Sequence, residues 1–217
     1  MRPLLVLRPE PGASATAARA RALGLLPTVC PLFAIEPVIW QVPDPACFDA
    51  LLLTSANALR HGGAGLAALT SLPVIAVGDA TAAAARDAGF TVSRFGRAGV
   101  RDLLASVPGR EKLLHLAGED RVDGGCGHAV EAVIVYRAAP LSPSLPTAGG
   151  VALVHSPRAG ARLADLIDDR STTAIAALSE SCALACGSGW QRLDWPDTPS
   201  DSALLALAAR LCQSPGR

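Results

Sequence analysis

Apolar residues in this chain come in short unbroken runs rather than in strict alternation with polar ones. LLVL at Leu4–Leu7, ALLLT from Ala50, PVIAV from Pro73, KLLHLA from Lys112, VALV from Val151 and AIAAL from Ala174 are all of this kind. A run that is apolar on both faces of an extended backbone is expected where a strand is covered on both sides, as in a parallel sheet packed between helices. The stretches between the runs have helical spacing or helix-stop signals. They predict helices from about Ser14 to Leu23 with Gly24 as the stop, from Ser55 or Asn57, over Ala80–Ala88, near Gly99–Ser106 and over Asp201–Leu211. With FTVSRF as a further strand after Gly89, strand and helix alternate along the chain, which predicts an α/β fold.

Two segments break this rhythm. Val29 to Val38, VCPLFAIEPV, is extended, apolar and interrupted by Pro31 and Pro37, whereas Ala132 to Pro140, AVIVYRAAP, is rich in β-branched residues and ends at a proline, which has no N–H to continue a ladder. The sequence also repeats itself once. Ala50–Arg60 answers Val151–Arg162, with Ser55 over Ser156, and Val74–Phe90 answers Ala174–Trp190 in unbroken register. A single repetition predicts two similar lobes rather than a solenoid. The C-terminal copy has too few strands for a comfortable sheet, and the N-terminal strand–helix unit has no sheet to join. Combining them predicts one lobe from 1–34 with 140–217 and another from 38–131. The segments 29–38 and 132–140 then become linker strands that pair as a two-strand tether, and the lobes are expected to hinge there.

A length of 217 residues suits two lobes of roughly 100 each. Charge balances at 19 basic against 19 acidic residues, which removes the broad basic footprint of a nucleic-acid binder and points to a small-molecule partner. All the basic residues but Lys112 are arginine, whose planar fork suits carboxylates. The N-terminal apolar run is too short for a signal peptide core, and no run nears the roughly 20 residues of a membrane span, so the expectation is an unexported chain with no membrane partner. Six scattered cysteines without a CxxC pair fit a reducing cytosol. Cys182 and Cys186 lie one helical turn apart, but no second pair completes a metal site.

Ligands of open parallel sheets bind beyond the carboxyl ends of the strands, where helix N-termini present unpaired N–H groups. The loops there are Arg8–Gly12, Thr54–Asn57, Gly78–Thr81, Ala117–Arg121, His155–Arg158 and Leu178–Ser181. They are small and hydroxyl-rich, which suits anionic groups; the plainer reading of each Ser or Thr is a helix cap. Candidate ligand contacts are Arg8, Thr54, Ser55, Asn57, Gly78, Thr81, Ser156 and Ser181. No GxSxG, phosphate loop, GxGxxG or HExxH is present. The four histidines are dispersed, and His115, inside a strand, reads as packed or surface rather than as a ligand.

Arg8-Pro9 after the first strand, LLLTSANAL, VIAVGDATAAAARDAGF, LLHLAG, VIVYRAAP and SPRAGARL, in this order and spacing, resemble the uroporphyrinogen-III synthase family across essentially the whole chain. The resemblance implies two flavodoxin-like lobes with parallel sheets, joined by a two-stranded β-ladder. It implies a cytoplasmic, monomeric enzyme of tetrapyrrole biosynthesis, free of cofactor and metal, that closes hydroxymethylbilane with inversion of the last pyrrole ring and loss of water. A transient contact with the upstream deaminase is part of that expectation. Tyr136 matches the tyrosine of the family's VY motif and is the catalytic candidate, as a donor to the departing hydroxyl.

Two departures from the pattern stand out. The helix expected after LLHLAGEDR is compressed into VDGGCGH, which implies a lobe with one helix fewer, and GDAT of the first copy is answered by LSES, so that Ser179 and Ser181 stand where glycine and threonine are expected. A pathway relative that has lost activity and a two-lobed binding protein are the rival readings, since a fold alone does not fix a function.

Overall fold

The buried runs become the strands of two sheets in a computed structural model, which describes residues 1–96, 99–107, 109–121, 128–146 and 149–213. The chain divides into two units, Met1–Ala34 with Pro140–Arg217, and Ile35–Ala139.

In the first unit, strands β1 (Leu4–Val6) and β2 (Pro27–Val29) flank helix α1 (Gly12–Ala22). Ala13, Thr16, Ala17 and Ala20 form its buried stripe at helical spacing, Arg19 and Arg21 sit in its last turn, and Gly24 closes it at φ +75°. In the second unit come β3 (Phe33–Pro37, which begins just before the boundary), β4 (Ala50–Leu53), α2 (Asn57–His61), β5 (Val74–Val77), α3 (Asp79–Asp87), β6 (Val92–Gly96), α4 (Val100–Ala105), β7 (Lys112–Gly118) and β8 (Ala129–Pro140). The chain then completes the first unit with β9 (Val151–Val154), α5 (Pro157–Leu166), β10 (Ala174–Ala177), α6 (Glu180–Ala185), β11 (Arg192–Asp194) and α7 (Asp201–Gln213).

Strand order is β11-β10-β9-β1-β2 in one sheet and β3-β8-β7-β4-β5-β6 in the other. Pairings within the first sheet, and those linking β8, β7, β4, β5 and β6 in the second, are parallel. Counted along the chain, the first sheet has the order 2-1-3-4-5. The second has the same order once β7 is counted first, so the units share one plan entered at different points. β4 answers β9, β5 answers β10, and β7 and β8 answer β1 and β2.

Helices cover both faces of each sheet, which explains the unbroken apolar runs. In the first unit Leu4, Val6, Leu153 and Ala176 pack under α1 and α7, while the alternate residues Leu5, Ala152 and Ile175 are equally buried, with α5 and α6 packed on β9 and β10. In the second, Leu51, Leu53, Ala76, Leu114 and Leu116 face Ala58, Ala82 and Ala85, and Leu52, Ile75 and Leu113 face Leu103 and Leu104.

Two expectations change. The extended segment 29–38 is divided: Val29 ends β2 in the first sheet, and β3 begins at Phe33 in the second. The return strand starts three residues early, at Ala129, and lies between β3 and β7. A two-stranded ribbon standing alone is marginal in water, and pairing with β7 gives the return strand's backbone groups partners. Of the compressed segment VDGGCGH after Arg121, residues 122–127 lie outside the described residues.

Candidate active site

A doubly wound sheet has a crevice where strand order reverses, because the helices that follow the two adjacent strands leave on opposite faces. In the second unit that point lies between β7 and β4, at their carboxyl ends. A cavity of about 420 Å³ opens there, within the range of small-molecule sites. Thr54 and Ser55 line it from the end of β4, Val77 from β5, and Gly118 to Arg121 from the end of β7. Val100, the first residue of α4, and His115 and Tyr136 complete most of the wall.

Tyr136 is aimed by the backbone. The β7–β8 register runs evenly from Lys112↔Ala129 to Ala117↔Ile134 and then skips Val135, so that Gly118 lies opposite Tyr136. Such a bulge commonly redirects a side chain. The ring lies directly over Gly118: a Cβ there would sit 2.6 Å from Tyr136 Cε2 and 2.9 Å from its hydroxyl oxygen. Only glycine admits this approach. Val135 stays fully buried, and His61 flanks the tyrosine with ring centroids 6.4 Å apart. Burial, helped by the charge of Arg60, holds the His61 imidazole below its ordinary pKa and so favours its neutral form.

Thr54 Oγ1 lies 3.1 Å from His115 Nε2, and His115 is only 6% exposed. Ser55 Oγ accepts a hydrogen bond from the Asn57 N–H at 3.2 Å, which turns the chain into α2, while Asn57 Oδ1 accepts from Arg60. Gly78 precedes α3 at φ +85°, and Thr81 is buried on the inner face of that helix. Of the candidate contacts in this unit, the cavity therefore gathers Thr54 and Ser55 beside Tyr136. Asn57, Gly78 and Thr81 serve the turns and helices next to it.

The remaining candidates belong to the first unit. Ser156 caps α5 by accepting from the Ala159 N–H at 3.2 Å, and Ser181 lies 2.9 Å from Ser179, which caps α6. Arg8, after β1, points its Nη1 to 3.4 Å from Asp201 Oδ1, and Arg19 donates to Asp201 Oδ2 at 2.9 Å. His155, next after β9, has a side chain 10% exposed and places Nε2 at ion-pair distance, 3.4 Å, from Asp201 without the alignment of a hydrogen bond. Burial drives the His155 pKa down, the Arg8 guanidinium adds to this, and Asp201 only partly opposes them, leaving it at about 4. Burial works to raise the Asp201 pKa, but the Arg19 hydrogen bond and the positive charges around it prevail and hold it below the carboxylate norm.

Two site features escaped the sequence reading. His115 was readable only as the one polar residue in a strand otherwise apolar from Leu113 to Ala117, and Gly118 only as a glycine after that strand. Among the described residues no group of three or more His, Cys, Asp or Glu side chains is arranged to hold a metal ion.

Comparison with known proteins gives a consistent result. The crystal structure of uroporphyrinogen-III synthetase from Helicobacter pylori aligns with 97% of this chain and all of its own, at TM-score 0.70 and 19% identity. A mutant uroporphyrinogen III synthase from Thermus thermophilus aligns over 98% of this chain and 99% of its own, at TM-score 0.55 and 16% identity. At these identities the likeness shows the fold alone. No curated protein sequence matches the chain. A family model described as uroporphyrinogen-III synthase HemD matches residues 14–206, nearly the whole length, and on that match the chain belongs to the uroporphyrinogen-III synthase family.

Proposed function

We propose that the chain is a uroporphyrinogen-III synthase that closes hydroxymethylbilane with inversion of the last pyrrole ring and release of water, a lyase reaction of tetrapyrrole and heme biosynthesis. The observation that carries this is the family match over 14–206, on a fold with a cavity at the crevice of its second sheet lined by Tyr136, the one tyrosine of the chain. The Thr54 and Ser55 hydroxyls at the end of β4 suit the acetate and propionate groups of such a substrate. Loss of hydroxide from the hydroxymethyl carbon leaves a cation stabilised by the pyrrole nitrogen, so the protein's task is to position the rings and to help the hydroxyl leave. Tyr136 donates its proton to that oxygen, which departs as water, and the proton that ring closure releases from the last pyrrole restores the phenol. Thr54 and Ser55 hold carboxylates in the same cavity. Arg8, Asn57, Gly78, Thr81, Ser156 and Ser181 belong to the wider contact set. Thr81 and Ser156 act there through their main chains, since the Thr81 side chain is buried and the Ser156 hydroxyl caps α5, and Arg8 by exchanging Asp201 for a ligand carboxylate.

The proposal extends to a cytoplasmic monomer, free of cofactor, that meets the upstream deaminase transiently. It also takes 1–34 with 140–217 and 38–131 as working lobes, linked through β3 and β8, neighbouring strands of the second sheet. No helix among the described residues is long and apolar enough to cross a membrane. The purified protein is to be incubated with hydroxymethylbilane and the isomers separated. Accelerated formation of isomer III is expected, and isomer I alone, at the uncatalysed rate, rejects the assignment.

A further inference from the structure

We propose that His115 is a positioning residue that acts through Thr54, fixing the Thr54 hydroxyl as a donor toward a substrate carboxylate. The proposal rests on the function argued above. Its geometric basis is the 3.1 Å approach of His115 Nε2 to Thr54 Oγ1, with both residues in the wall of the cavity. His115 stands opposite Leu52 across the β7–β4 pairing, two residues before Thr54, so the central strands of the sheet hold the two side chains together. Its neighbours Leu113, Leu114, Leu116 and Ala117 are at most 1% exposed, and an imidazole in that company needs a polar partner.

A hydroxyl has one proton to give and two lone pairs to receive with. If His115 Nε2 carries a hydrogen, it donates to Thr54 Oγ1 and leaves the Thr54 proton for an anion in the cavity. If Nε2 is bare, Thr54 spends its proton on the ring and turns only lone pairs toward the ligand, which repel a carboxylate. Anion binding at Thr54 therefore requires the Nε2–H form of His115. A histidine that merely satisfies its own polarity would accept either arrangement.

The test uses the whole protein, with uroporphyrin as a binding probe and hydroxymethylbilane as substrate. His115→Leu is expected to weaken uroporphyrin binding and raise KM about fivefold, the loss of one hydrogen bond, with kcat within about twofold. His115→Gln, which keeps an N–H donor, is expected to restore most of both. In a Thr54→Val background His115→Leu is expected to add nothing. Equal weakening by Gln and Leu, an additive effect in the Thr54→Val background, or a fall in kcat with KM and binding unchanged would each overturn the proposal. The binding arm is independent of turnover, so it answers this question even where isomer III fails to form. Side-chain ¹⁵N shifts of His115 in the unaltered protein give a readout that no folding defect can confuse: Nε2–H is expected, and the Nδ1–H tautomer refutes the idea.

Discussion

The two units solve the same strand order and differ at its crevice. In the second unit the space between β7 and β4 is an open cavity with Val100 at its edge. The corresponding place in the first unit, between β1 and β9, holds charged groups that satisfy one another. Two substitutions at matching positions account for much of this. The residue after β4 is Thr54 where the residue after β9 is His155, and the helix following the last strand of each plan begins with Val100 in one unit and Asp201 in the other. Asp201 draws Arg8 and Arg19 onto itself, with the neutral His155 ring 3.4 Å away. An arginine that looks ready for a ligand carboxylate when read along the chain is thus already engaged by an internal one. Identical topology places residues at a binding position, and the side chains there decide whether the place is vacant.

The charged crevice should be the more sensitive to acid. His155 is pushed to about 4 in the folded protein against about 6.5 when unfolded, so between these values the unfolded chain binds more protons. Its contribution is complete above pH 6.5 and is lost as pH falls toward 4, at most about 3 kcal/mol. Asp201, with its lowered pKa, acts in the same direction at still lower pH. Urea melts of the wild type and His155→Gln at pH 7 and 4.5, followed by tryptophan fluorescence, should show a shallower acid loss in the variant. Equal losses would remove His155 from the account.

Chemistry, by contrast, should depend on the open crevice. Tyr136→Phe keeps the ring and removes the donor; turnover should fall about 10²-fold with uroporphyrin binding retained. Gly118→Ala should cost about tenfold by displacing the same ring, and should add little once Tyr136 is already phenylalanine, since interacting residues are not additive. Near-wild-type turnover in the phenylalanine variant would leave the enzyme acting by positioning alone.

The smallest contrast lies between the paired serines. Ser156→Ala removes a helix cap and should cost about 1 kcal/mol of stability with little change in KM. Ser55→Ala, in the cavity wall, should lose a similar amount of stability through its bond from the Asn57 N–H and, unlike Ser156→Ala, should also raise KM about fivefold, for one lost hydrogen bond to the ligand. Thermal melts and steady-state kinetics on both variants would expose any exchange of these roles.

Much of the parallel architecture was legible in the chain, because a strand covered on both faces is apolar along its length, as the runs at Leu4, Leu51, Val74, Val151 and Ala174 are and the run at Leu113 is apart from His115. The helix stop at Gly24 was legible for a similarly local reason, a left-handed backbone that glycine adopts freely. The division of 29–38 between two sheets was not, since an extended proline-bearing segment has the same local signature whichever sheet takes it.

By itself, the sequence determined the properties that one residue and its near neighbours control: burial on both faces, helix caps and stops, the doubled strand–helix plan, and the motif that marks Tyr136. Only the tertiary structure decided which of the resulting loops share a cavity. Thr54 and His115 are 61 residues apart and touch because β4 and β7 are adjacent. Arg8 and Asp201 meet across 193 residues, and the ring of Tyr136 lies on Gly118 through a one-residue bulge. Pairing between distant strands depends on the summed burial of whole elements, and no local pattern along the chain encodes it.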